Sequence, residues 1–293
     1  MSKVAIIGAG NVGGLAATWI AGLGLADVVL IDKGSGRAKG KAMDINDSLA
    51  ILGSDRWVDG GDDYSLIEGS EVVVITAGVP RRPGMTREDL RVENEKIVGD
   101  ILNKATKFVT ESTAWVIVTN PLDYITDFVY QRLLIDRHKV MGMGVNLDSS
   151  RMINQISRVL GVSRSSIKAM VIGQHGKGML PLVDDITLNG VKLELSEKEK
   201  EFIKNKTINR GAEIVAAFGN GSAYVAPGAG IYQVVRAILT NSKEVLPLSV
   251  RLEGEYGISG KCLGVPVRLG YLAWEEVIKA PWKEDILSEL KSL

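Results

Sequence analysis

The chain has 293 residues, 45% hydrophobic and 24% charged, enough for one large core or two modest ones, so two lobes are expected. Lys+Arg and Asp+Glu are both 35, which removes the electrostatic case for nucleic acid or an anionic membrane. Any anion site must therefore be local.

Met1-Ser2-Lys3 leads straight into Val4-Ala5-Ile6-Ile7, a short apolar strand pattern, and no signal peptide is expected. That strand empties into G-A-G-N-V-G, Gly8 to Gly13, and a helical stretch follows from Leu15 to Ile20. A second strand, Val28 to Ile31, ends in Asp32. Glycines between strand and helix, with an acid closing the next strand, are the context of a dinucleotide fingerprint. The glycines let backbone approach a pyrophosphate, the helix N-terminus offers free N–H groups, and Asp32 can accept from the adenosine ribose hydroxyls. An acid there repels a 2′-phosphate and favours NAD over NADP; Lys33 beside it keeps NADP as an alternative.

Arg37 to Leu52 has helical spacing through Ala38, Ala42, Ile45, Leu49 and Leu52, a face that can cover the sheet or a partner subunit. Val72 to Thr76 reads as the next parallel strand. It opens into T-A-G-V-P-R-R-P-G-M-T-R, Thr76 to Arg87, a loop punctuated by Gly78, Pro80, Pro83 and Gly84 and carrying three arginines. Clustered cations repel and lose hydration unless an anion covers them. A helix is expected from Glu88 to about Thr110, then a strand over Trp115–Val118 ending in Thr119-Asn120-Pro121. Leu122 to Leu134 reads helical, and Val140-Met141-Gly142 begins a further strand. Alternating strands and helices imply a doubly wound parallel sheet, whose ligands bind beyond the carboxyl ends of its strands. Gly8, Thr76 and Asn120 lie at such ends and should share one crevice.

After about residue 145 the character changes, giving a dinucleotide-binding region at 1–145 and a C-terminal α+β region at 146–293. Asn146 opens a helix to Leu160 with Asp148 and Arg151 on one face. Ala169–Ile172 is a strand ending in G-Q-H-G, Gly173 to Gly176. Asn189-Gly190 signals a hairpin, and Ser196 with Glu199 has capping-box spacing for a helix to about Phe218. Gly221 to Gly230 reads as punctuation before a helix over Ile231–Leu239. Val245–Arg251 and Leu263–Val267 are expected in a second sheet, with a closing amphipathic helix from Pro281 to Leu293. Cys262, the single cysteine, excludes an internal disulfide, fits a reducing compartment and is expected to be buried.

Two histidines are present. His138 lies in a charged connection and reads as solvated surface. His175 lies between glycines at a strand end, where a side chain can face a cleft; a carboxylate such as Asp148 would fix its tautomer and raise its pKa toward the operating range.

These motifs together resemble the lactate/malate dehydrogenase family, and most of all its lactate-dehydrogenase-like malate dehydrogenases. The likeness runs through G-A-G-N-V-G, T-A-G-V-P-R-R-P-G-M-T-R, V-T-N-P at Val118, N-L-D-S-S-R at Asn146 and I-G-Q-H-G at Ile172. It continues through G-S-A-Y-V-A-P at Gly221 and L-E-G-E-Y-G-I at Leu252. The resemblance implies NAD-linked oxidation of (S)-malate to oxaloacetate and the reverse. His175 would be the acid/base, Asp148 its orienting partner and Arg87 the group polarising the carbonyl. Arg151 would grip the carboxylate next to the reacting carbon, Asn120 would bond near nicotinamide and substrate, and Arg81 would pair with the distal carboxylate. With pyruvate a buried Arg81 would stay unpaired, at roughly 3–5 kcal/mol. Arg82 would be a solvated loop charge, and Gly78 and Gly84 hinges of a closing loop. The implied cofactor contacts are Gly8, Gly10, Asn11, Val12, Gly13, Asp32, Thr76, Ala77, Gly78 and Asn120, with no metal. A cytoplasmic homo-oligomer, tetramer or dimer, of the tricarboxylic acid cycle is also implied.

The sequence departs from the family at Lys177, where an acid commonly follows the histidine motif, and at Gln174 in place of the usual glutamate. Lys177 close to His175 would move the working pH range downward. Rival readings are a lactate-type enzyme of the same fold and a non-catalytic NAD-binding protein. A short-chain reductase would need a tyrosine four residues before a lysine, and no such pair is found.

Overall fold

The computed structural model describes residues 2–34, 36–80, 84–219 and 221–293. In chain order the first half contains β1 (Lys3–Ile7), α1 (Asn11–Gly22), β2 (Asp27–Ile31), α2 (Gly36–Leu52), β3 (Val58–Gly61), β4 (Val72–Ile75), α3 (Arg87–Ala105), β5 (Ala114–Ile117), α4 (Leu122–Leu133) and β6 (Val140–Gly142). The second contains α5 (Val145–Leu160), β7 (Ile167–Lys168), β8 (Val171–Gly173), β9 (Met179–Pro181), β10 (Thr187–Leu188), β11 (Val191–Lys192), α6 (Glu197–Phe218) and α7 (Val225–Leu239). It closes with β12 (Val245–Glu253), β13 (Ser259–Gly270), β14 (Ala273–Val277) and α8 (Glu284–Ser292).

The first six strands are parallel in the order β3-β2-β1-β4-β5-β6. This is the doubly wound Rossmann sheet expected from the alternating pattern. Its strands are apolar at nearly every position because both faces are covered. Val4 and Ile6 of β1 enter the core beneath α1, α2 and α7, whereas Ala5 and Ile7 enter the opposite core beneath α3 and α4. The Ala38, Ala42, Ile45 and Leu49 face of α2 is spent on its own sheet. What α2 leaves outside is Met43, Ile51 and Leu52.

The strands of the second half do not build a separate large sheet. β12 runs antiparallel to β6 through the pair Ser249 and Gly142, and β13, β8 and β9 continue outward, so the parallel sheet passes into an antiparallel one. Gly142 permits this junction: a Cβ there would stand 2.4 Å from Thr126 Oγ1, 2.7 Å from Leu122 Cδ2 and 3.1 Å from Ser249 Cβ. Among the described residues only the β7-β10-β11 ribbon forms a second sheet, turned at Asn189 and Gly190, both at positive φ as a two-residue hairpin of this kind requires.

Three helices differ from the sequence expectation. α3 stops at Ala105, where Thr106 turns its hydroxyl back onto the Leu102 carbonyl at 2.8 Å. α7 begins at Val225, inside the glycine-rich stretch read as punctuation. Pro227 is tolerated in the first turn, and Gly228 lets α7 lie against α1, with a Cβ site 3.2 Å from Leu15 Cβ and 3.3 Å from Ala16 N. α8 starts at Glu284 rather than Pro281, because Trp282 is held outside it, stacked 4.7 Å from Tyr256. Ser196 does cap α6 with Glu199 in a reciprocal box. His138 is half-buried rather than solvated, its ring 4.2 Å from that of Trp274 and its Nδ1 2.6 Å from Asp136.

One face of α4 binds the second half through polar groups. Asp123 accepts from Ser249 Oγ at 2.7 Å, Asp127 pairs with Arg251, and the Arg251 guanidinium lies 5.1 Å from the Tyr130 ring centre. Cys262 of β13 is buried behind them with Sγ 3.7 Å from Asp127 Oδ1. Burial, with both α4 carboxylates, pushes its thiol well above the ordinary range. Among the described residues no helix is long and apolar enough to cross a membrane. Gly142→Ala is expected to destabilise the protein by roughly 1–3 kcal/mol, read as a lower urea midpoint at unchanged slope.

Candidate active site

Three strand ends meet at one edge of the parallel sheet. Gly8 follows β1 at φ +118°, and a Cβ on it would stand 2.5 Å from Ala77 N and 2.6 Å from Thr76 Oγ1. Thr76 Oγ1 donates to the Gly8 carbonyl at 2.9 Å, and Thr119 Oγ1 donates to the Ala77 carbonyl at 2.7 Å. Asn94, buried on α3, accepts from Val79 N at 2.7 Å and donates to the Asn120 carbonyl at 2.7 Å. Gly78 leaves it room, since a Cβ there would come 2.9 Å from Asn94 Oδ1. The turns carrying Gly8, Thr76 to Gly78 and Asn120 thus line one crevice. Asn120 is exposed there.

This crevice suits a dinucleotide. α1 starts at an N-cap glycine, Gly10, with no side-chain cap and no acid in its first turn, so its leading N–H groups remain for an anionic ligand. By contrast α3 and α6 both close their N-termini with capping boxes. A Cβ on Gly13 would lie 1.9 Å from the Gly8 carbonyl oxygen, so only glycine lets the helix start this close to the strand. Space beyond Gly10 is open. Asn11 is exposed beside it, and Val12 packs on the core. Asp32 Oδ2 accepts from Ala9 N at 2.8 Å, and Arg37 Nη1 stands 3.8 Å from the same oxygen.

Opposite these turns, α5 and the end of β8 present a second cluster. Asp148 is fully buried in the first turn of α5, and its two oxygens are shared: Oδ2 lies 2.7 Å from His175 Nδ1 and Oδ1 accepts from Arg151 Nη1 at 2.9 Å. Asp148 and Arg151 meet because they are three apart on one helix. Burial disfavours the imidazolium of His175. The charge and hydrogen bond of Asp148, reinforced by Asp123 and opposed by Arg151, outweigh that and leave the ring above its ordinary pKa. Arg87 opens α3 and reaches across: a Cβ on Gly176 would lie 3.0 Å from its Nη2.

The structure therefore brings His175, Asp148, Arg151 and Arg87 together at the crevice. Arg81, the expected partner of a distal carboxylate, lies outside the described residues, as does Arg82. Lys177 points to solvent, and Gln174 donates from Nε2 to the Leu293 carbonyl at 3.2 Å. Two residues of the site have no counterpart in the sequence reading. Asp123 accepts from the main-chain N–H of His175 at 2.8 Å; its place three residues after Asn120, at the start of an apolar-faced helix, was the available signal. Asn94 carries no sequence signal, being one polar residue among many on α3. Among the described residues no group of three His, Cys, Asp or Glu is arranged to hold a metal.

A dinucleotide crevice facing a histidine–carboxylate–arginine cluster defines a nicotinamide-dependent dehydrogenase type of site. The family model described as lactate/malate dehydrogenase, NAD binding domain, matches residues 2–142, and that described as lactate/malate dehydrogenase, alpha/beta C-terminal domain, matches residues 145–291. A malate dehydrogenase of Methanosarcina mazei is 40% identical over 293 residues, covering 99% of this chain and 95% of its own. The crystal structure of Cryptosporidium parvum malate dehydrogenase superposes with a TM-score of 0.95 at 36% identity, covering 99% of this chain and 95% of that one. The lactate dehydrogenase of the same organism, complexed with lactic acid and β-nicotinamide adenine dinucleotide, gives 0.95 at 33% identity, covering 99% and 94%. The chain belongs to the lactate/malate dehydrogenase family. Gly13→Ala is expected to weaken NADH binding at least ~10-fold, measured by nicotinamide fluorescence, because the β1–α1 turn must open to admit the methyl.

Proposed function

We propose that the chain is an NAD-dependent malate dehydrogenase, interconverting (S)-malate and oxaloacetate. The observation that carries this reading is the His175–Asp148–Arg151 cluster, tied through Asp123 to the segment after Asn120, together with the uncapped start of α1. The chemistry that nicotinamide would supply when bound is the transfer of a hydride to or from C2 of the substrate. Asp148 engages Nδ1 of His175, so Nε2 is the atom that exchanges a proton with the substrate oxygen: it donates in oxaloacetate reduction and accepts in malate oxidation. Arg151 holds the carboxylate beside the reacting carbon with the donors that Asp148 leaves free, and Arg87 offsets charge developing on the oxygen. Gly8, Gly10, Asn11, Val12, Gly13, Asp32, Thr76, Ala77 and Gly78 hold the dinucleotide, and Asn120 bonds near nicotinamide and substrate.

Malate rather than lactate is supported by Arg81 and by relatives named malate dehydrogenase at 40% identity. Preference for NAD over NADP rests on Asp32, although Arg37 at 3.8 Å softens the repulsion of a 2′-phosphate. Residues 1–145 are assigned to the dinucleotide and 146–293 to substrate and catalysis. A cytoplasmic homo-oligomer, tetramer or dimer, acting in the tricarboxylic acid cycle completes the reading. The exposed Met43, Ile51 and Leu52 of α2 support self-association.

NADH oxidation with oxaloacetate and with pyruvate tests the assignment. A large oxaloacetate preference that collapses in Arg81→Gln, by about two powers of ten, is expected; equal wild-type rates would refute it. Reduction needs the imidazolium, so oxaloacetate turnover is expected to fall as pH rises through the elevated His175 pKa, while malate oxidation rises over the same range. Asp148→Asn should lower both rates by roughly 10²–10⁴-fold and move both limbs to lower pH, seen in pH–rate profiles.

A further inference from the structure

We propose that Asp123 is a positioning residue for His175: its buried carboxylate grips the histidine main chain from behind and sets a second negative charge against the ring that Asp148 already faces. The proposal rests on the dehydrogenase reading of this site.

Asp123 sits in the first turn of α4, three residues past Asn120. Its Oδ2 accepts from His175 N at 2.8 Å and its Oδ1 from Ser249 Oγ of β12 at 2.7 Å. One carboxylate thus ties together the segment bearing Asn120, the loop bearing the acid/base and the antiparallel strands of the second half. Both bonds could be met by a neutral amide or hydroxyl at lower desolvation cost. Burial pushes the carboxyl up, against these two donors and the nearby imidazole. A buried acid of this kind is offset by an adjacent cation. Among the described residues no lysine or arginine forms an ion pair with it, and Arg251 of β12 is paired with Asp127 instead. The cation available to Asp123 is the imidazolium of His175.

The other groups around the ring do not duplicate this role. α5 contributes Asp148 and Arg151, and α3 contributes Arg87 beside Gly176. Beside Asp123 itself, β12 offers the neutral Ser249, and β13 the thiol of Cys262, which burial holds protonated. Within the histidine loop itself, Gln174 is neutral and Lys177 is turned to solvent.

Because the chain has only two histidines, the rings can be titrated separately by NMR on histidine-labelled protein, with His138 as internal reference. In Asp123→Asn, which keeps the volume and one accepting oxygen, the His175 midpoint is expected to fall by about 0.5 pH unit or more while that of His138 stays. The alkaline limb of oxaloacetate reduction should fall by the same amount, with KM for oxaloacetate changed less than ~2-fold. An unmoved His175 midpoint in a folded Asp123→Asn protein overturns the proposal. Should that variant fail to fold, carboxyl-carbon NMR of the wild type decides. Asp123 is expected to be ionised at neutral pH, and a protonated carboxyl there overturns the proposal equally. Wild type lacking oxidoreductase activity would refute the dehydrogenase reading instead, and the ring titration, which needs no turnover, would still decide the role of Asp123.

Discussion

The arrangement depends on one buried charge. Asp148 has no exposed surface, and an unpaired carboxylate in such a place costs several kcal/mol. It is stable only because a ring nitrogen and a guanidinium share its two oxygens. The constraint works in both directions. α5 must present Arg151 one turn beyond Asp148, and β8 must end where His175 can meet the remaining oxygen. Once those positions are set, the ring keeps its second nitrogen and the guanidinium its remaining donors free for a ligand.

That cluster would be of little use if it could drift relative to the cofactor crevice. Two features hold it. The parallel sheet runs directly into the antiparallel strands at Gly142 and Ser249, so the two halves share one backbone framework. α4 then bridges the junction with its carboxylates, reaching Ser249 and Arg251. On the cofactor side, the hydroxyls of Thr76 and Thr119 and the amide of Asn94 fasten neighbouring strand-end turns to each other. Short side chains bonded to main chain give little slack.

Much of this was legible in the sequence because it is written in local pattern. Apolar runs give the buried parallel strands, and Ser196 with Glu199 and Asn189-Gly190 give a helix start and a turn through their own chemistry. The glycine motif was informative because strand, helix and acid stood around it. What escaped depends on distant partners. Gly142 reads as one residue in the opening of a strand until Ser249 is placed against it. Gly228 reads as a break, yet it lies inside α7 because α1 approaches too closely for a side chain. Asp123 and Asn94 are ordinary polar residues of amphipathic helices until the histidine loop and the Asn120 turn fold onto them. Local reading sees a residue's conformation; these four are chosen by what touches them.

The lone thiol has a practical consequence. Cys262 is buried behind the α4 carboxylates and held in its unreactive protonated form, so an alkylating reagent meets it only when α4 and β13 part. Its labelling rate is therefore a clock for the breathing of the joint between the two halves, and a ligand that clamps that joint should slow the clock in proportion to how firmly it holds.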